Sequence, residues 1–125
     1  MALLRGQANV ARRAATAALE GELRTSSITV FELTHGAAKS GRDNEFGKLR
    51  RFLGGRIQPV EFTPHDAEVA GRLRADLAAR GEIIGAYDLL IAGQALAREW
   101  TVVTGNTREF ARVRGLKLED WTAAS

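Results

Sequence analysis

Apolar and polar positions along the chain switch between a helical period and short β-branched runs, and the switches mark the elements. Val10, Ala14, Ala17 and Ala18 form one stripe, which predicts a helix over Asn9 to Leu19. Arg24 to Ser27 predicts a short strand running into a helix from Ile28 to Lys39, with Ser27 as its cap. Asp43 to Leu53 predicts a helix stopped by Gly54-Gly55, and Ile57 to Phe62 a strand that Pro59 assigns to a sheet edge. Thr63-Pro64-His65-Asp66 is a helix start: a capping hydroxyl, a proline in the first turn and an acid three residues on.

That helix carries Ala70, Leu73 and Leu77 on one face and ends at Gly81. A second apolar helix runs from Ala86 to Glu99, followed by a strand at Thr101 to Thr104, a helical turn at Thr107 to Arg112 and a last strand from Leu116 to Trp121. Ala2-Leu3-Leu4-Arg5-Gly6 reads as the end of a helix, because Gly6 suits a C-terminal cap. Strands alternating with helices predict an α/β fold, a parallel sheet covered on both faces.

With 125 residues and 45% hydrophobic content, the chain predicts a single domain over 1–125 with its own core. Cysteine is absent, which excludes disulfide scaffolds, thiolate zinc sites and cysteine nucleophiles. The longest apolar run, Ile83 to Ala92, is interrupted by Gly85 and Asp88 and is far shorter than the ~20 residues a membrane helix needs. Arg5, Gln7, Asn9, Arg12 and Arg13 stand where a secretory signal would be apolar, so the expected location is the cytoplasm, with no membrane partner. The formal charge is +3, from 18 basic and 15 acidic residues. Arginines spread along the chain suit phosphate contacts and solvated helix faces equally.

The candidate chemistry is acidic. Glu32, Asp88, Asn106 and Glu109 all lie near junctions between strands and helices, which a parallel sheet brings to one rim. Oxygen-rich groups gathered there suit a hard cation, whereas a carboxylate at a helix start also serves as a dipole partner or cap, and spacing leaves both readings open. A bound cation could orient a phosphodiester and activate water, with Thr104 and Asn106 supporting the carboxylates. His35 and His65 have no spaced partner that would make a metal site, and Gly54-Gly55-Arg56 lacks the ending of a nucleotide-binding loop. Trp100 and Trp121 are read as packing residues.

Several segments resemble one family in order. These are Ser26-Ser27-Ile28-Thr29-Val30-Phe31-Glu32-Leu33-Thr34-His35-Gly36-Ala37, Arg72-Leu73-Arg74-Ala75 through Gly81, Ile84 to Ala95, Val103-Thr104-Gly105-Asn106-Thr107-Arg108-Glu109-Phe110, and the ending Val113 to Trp121. They are similar to PIN-domain toxins of the VapC type over nearly the whole chain. The resemblance implies a PIN-like three-layer α/β domain and a Mg²⁺-dependent endoribonuclease, with Mn²⁺ as a substitute ion. It also implies RNA as substrate, a homodimer and inhibition by a cognate VapB-type antitoxin. Glu32, Asp88 and Glu109 match its metal-binding acidic positions, Asn106 the polar position of its late motif, and Thr104 the supporting hydroxyl.

The family pattern opens on an apolar strand that ends in Asp-Thr-Asn or Asp-Thr-Ser, and its aspartate is a metal ligand. With residues 2–6 read as helical, that first strand is expected to be absent and the domain N-terminally truncated. The expected consequences are a gap at the sheet centre and loss of activity. Either a start assigned too far downstream or an inactive copy that sequesters antitoxin would account for such a truncation. A DNA nuclease of the same fold would keep the chemistry and change the substrate, because spacing does not reveal recognition of the 2′-hydroxyl.

Overall fold

A computed structural model of the chain describes residues 2–4, 23–53 and 57–120. The elements are β1 (Ala2–Leu4), β2 (Leu23–Ser26), α1 (Ser27–Ser40), α2 (Asp43–Leu53), β3 (Gln58–Val60), α3 (Pro64–Ala79), α4 (Ala86–Arg98), β4 (Thr101–Val103), α5 (Thr107–Phe110) and β5 (Lys117–Glu119). The five strands form one sheet in the order β3-β2-β1-β4-β5, and every pairing is parallel. The helix expected over Asn9 to Leu19 and the residue Trp121 lie outside the described residues.

The expectation of a missing first strand is corrected. Ala2–Leu4 is not the end of a helix but the central strand, with Leu3 paired to Arg24 on one side and to Val102 on the other. Three consecutive apolar residues at a helix's permitted spacing also satisfy a fully buried parallel strand, and so short a run carries no period to separate the two. After Leu4 the sequence reads Arg5-Gly6-Gln7, without the Asp-Thr-Asn or Asp-Thr-Ser of the family pattern.

Elsewhere the elements follow the pattern of the sequence. Pro59, which has no N–H to give, sits in the outermost strand β3. The cap of α1 is Ser26 instead of Ser27: Ser26 Oγ accepts the Ile28 N–H at 3.0 Å, while Ser27 Oγ donates to the Val60 carbonyl at 2.9 Å and ties α1 to β3. The start of α3 is a full capping box, with Thr63 Oγ1 accepting the Asp66 N–H and the Asp66 carboxylate accepting the Thr63 N–H. The core lies where Leu73 and Leu77 of α3, Leu89, Ile91, Ala92 and Ala95 of α4, Val102 of β4, Phe110 and Val113 meet. Trp100 packs against this core, as expected. Among the described residues no helix is long and apolar enough to cross a membrane.

Asp66 does more than cap. Its side chain is buried, and its Oδ2 also accepts from Arg98 Nη2 at 3.0 Å and Gln94 Nε2 at 3.3 Å; both donors reach the Glu61 carbonyl as well. Burial pushes this carboxyl up, but the hydrogen bonds from Arg98 and Thr63, together with the Arg98 charge, outweigh it and hold the group below its ordinary value. A carboxyl depressed on folding stabilises the protein above its unfolded pKa of about 3.9, and that contribution is lost as pH falls through the folded value. Asp66→Asn is therefore expected to lower stability by about 2 kcal/mol at pH 7. In urea denaturation the gap from the parent should close below about pH 4; a gap that stays constant across that range would show that the charge is not what matters.

Candidate active site

Two segments build the site at the end of the sheet where β4 gives way to α5. The first is the start of α4. Gly85 caps it without a side chain, which leaves Asp88 in the first helical turn, near the positive end of the helix dipole. The second is the loop after β4: Thr104 is buried, and its Oγ1 accepts the Asn106 N–H at 3.0 Å, so the hydroxyl sets the direction in which Asn106 leaves the strand.

Asn106 joins the two segments. Its Nδ2 donates to Asp88 Oδ2 and to Glu109 Oε2, each at 3.0 Å. A carboxamide nitrogen carries two hydrogens that diverge, so a single Asn106 side chain holds two carboxylates side by side. Glu109 is fixed a second time, because its Oε1 accepts the Gly85 N–H at 3.1 Å. The connection between α3 and α4 is itself tied down: Arg112 Nη1 donates to the Ile83 carbonyl at 2.8 Å, and Arg80 Nη2 donates to the Arg112 carbonyl at 3.0 Å. The pattern of the sequence assigned no structural role to Arg80 or Arg112 and marked Gly85 only as a break in an apolar run; their meeting across two loops shows what they do.

The Glu109 carboxyl is held below its ordinary value, first by the hydrogen bond it shares with Asp88 and then by Asn106. Burial opposes the shift, while the Gly85 N–H and the positive Arg112 add to it. Two carboxyl groups drawn together by one amide nitrogen, with Asp88 only 5% exposed, mark a position that favours positive charge. A divalent cation takes oxygen ligands and commonly uses one or two carboxylates while keeping its waters. Asp88 and Glu109 fit such an ion by their chemistry and their closeness.

The structure thus brings Asp88, Asn106, Glu109 and Thr104 together. Glu32 stands on α1, partly buried, with its Oε1 shielded from solvent. It does not complete a direct three-carboxylate set, since among the described residues no three His, Cys, Asp or Glu side chains are grouped to hold a metal ion.

The pattern of the PIN domain matches residues 1–116. The chain belongs to the PIN-domain family. Among its relatives, the tRNA(fMet)-specific endonuclease VapC of Shigella flexneri is 39% identical over 104 residues, covering 82% of this chain and 78% of that protein. Ribonuclease VapC2 of Rickettsia felis is 41% identical over 97 residues, covering 77% of this chain and 72% of that protein. The crystal structure of DNA-bound VapBC from Salmonella typhimurium superposes with a TM-score of 0.85 at 31% identity, covering 96% of this chain and 97% of that one. In this PIN domain, Asp88 and Glu109 form the acidic face and Asn106 its brace. Nucleases of this kind depend on a divalent metal, in keeping with the donor set found here.

Proposed function

We propose that this PIN domain is a cytoplasmic, Mg²⁺-dependent endoribonuclease toxin with a VapB-type antitoxin as partner, and that it hydrolyses phosphodiester bonds of RNA at the cluster of Asp88, Asn106 and Glu109. The reading rests on one observation above the others: a single amide clasping two carboxylates at 3.0 Å each. Its relatives' names supply the substrate class, and two of them at 39% and 40% identity are called tRNA(fMet)-specific, which makes initiator tRNA the first substrate to try.

Asp88 and Glu109 would hold the ion, and Glu32, standing off from them, would act through a bound water. When bound, Mg²⁺ supplies positive charge at the phosphate oxygens and a lowered pKa for a coordinated water. Asn106 keeps the two carboxylates from turning apart when no cation screens their repulsion. Thr104 and the Gly85 N–H fix Asn106 and Glu109 in turn, so the acidic face is set before substrate arrives.

The test is cleavage of initiator tRNA, with single-stranded DNA of equal length beside it. RNA cleavage is expected to stop in EDTA and to return with Mg²⁺ or Mn²⁺. Cleavage that persists in EDTA would overturn the metal assignment, and DNA cut as fast as RNA would overturn the substrate.

A further inference from the structure

Two of the three large apolar side chains most exposed in the described part of the chain stand beside the site's acids in sequence: Phe31 precedes Glu32, and Tyr87 precedes Asp88. Successive residues on a helix point about 100° apart, so where Asp88 turns inward, Tyr87 turns out to solvent. Phe31 is 52% and Tyr87 47% exposed, yet their rings touch across α1 and α4, with centroids 5.3 Å apart and planes tilted by 56°. His35, one helical turn beyond Phe31 and also exposed, stacks on it at 6.5 Å and 11°. Three rings from two helices make a continuous aromatic surface at the edge of the acidic cluster.

We propose that Phe31, Tyr87 and His35 form a stacking platform for a nucleobase of the RNA strand, next to the phosphate being cleaved. This rests on the ribonuclease reading and assigns that site a means of holding its substrate. Every base offers a π-face, and stacking on exposed aromatics is how single-stranded RNA is gripped without sequence preference. Among the described residues the patch is also small for a protein partner: three exposed rings offer roughly 300 Å², against about 800 Å² per side in a stable interface. The His35 ring nitrogens provide a polar edge that a base can meet and an apolar helix cannot.

The test is affinity for a short single-stranded RNA in EDTA, where cleavage plays no part, with thermal melting to verify folding. Phe31→Ala and Tyr87→Ala are each expected to weaken binding about tenfold. Phe31→Leu, which keeps apolar area but no ring, should lose as much as alanine, and Tyr87→Phe should bind like the parent. An RNA carrying abasic residues should bind the parent about as weakly as intact RNA binds Tyr87→Ala, with no further loss in that variant. The platform is overturned if the alanine variants bind RNA within twofold of the parent. It is overturned equally if RNA affinity is unchanged while sedimentation shows altered self-association, which would assign the rings to a contact between copies. A parent that binds RNA but never cleaves it leaves the platform standing and overturns the ribonuclease reading instead.

Discussion

Asp88→Asn is expected to fold as the parent does and to cleave RNA about a thousandfold more slowly, close to 4 kcal/mol of transition-state stabilisation. The substitution keeps the shape of the side chain and removes the charge from the more deeply placed of the two acids, which is 5% exposed. It also breaks the logic of the clasp, since an amide facing the Asn106 Nδ2 must turn its oxygen there and point its own N–H₂ toward the cation position. Stability should hold or rise slightly, because one of two neighbouring carboxylates has lost its charge. A second readout needs no catalysis: Mg²⁺ should raise the melting temperature of the parent, as any ligand of the folded state does, and leave that of Asp88→Asn unmoved. Cleavage by the variant within tenfold of the parent would remove Asp88 from the site.

Gly93→Ala is expected to lower stability by about 3 kcal/mol, and Gly93→Val to prevent folding at 37 °C. Helices α3 and α4 cross where Gly93 meets Ala70, and a Cβ on Gly93 would lie 2.5 Å from the Ala70 Cβ, 2.6 Å from its Cα and 2.9 Å from its backbone nitrogen. Backbone atoms cannot swing aside as the end of a long side chain can, so the helices must separate and open the core behind them. The gain of about 1 kcal/mol in helix propensity is too small to offset this. Gly71 is the control, because it also lies inside one of the two crossing helices, α3, but has nothing within 4 Å of its missing Cβ. Gly71→Ala should stabilise by up to about 1 kcal/mol. Equal effects of the two alanines in urea denaturation would refute the close crossing. Because α4 also carries Asp88, separation of the helices would disturb the site along with the core.

Much of the fold is legible in the sequence because local chemistry and tertiary packing agree. The capping box at Thr63 and Asp66, the proline in edge strand β3 and the β-branched Thr101–Val103 each have one good structural solution. β1 fails this test: three apolar residues fix neither helix nor strand, and only pairing with β2 and β4 decides. In the candidate site, Asp88, Asn106 and Glu109 could be picked out by their positions at element junctions. Their bracing by Gly85, Arg80 and Arg112 depends on loops that meet only in three dimensions, and backbone donors leave no mark in a sequence. The exposed rings of Phe31 and Tyr87 were equally hidden, since a helical apolar position is more often core than surface.

The placement of β1 also sets a timetable. Its partner Val102 lies about a hundred residues downstream of Leu3, so the middle of the sheet cannot close until most of the chain has left the ribosome. Until then β2 and β3 can pair with each other while the first residues wait unpaired. A chain assembled in this order has no finished sheet beneath its acidic loop until synthesis is nearly over, so the acids meet only once the last strands are in place.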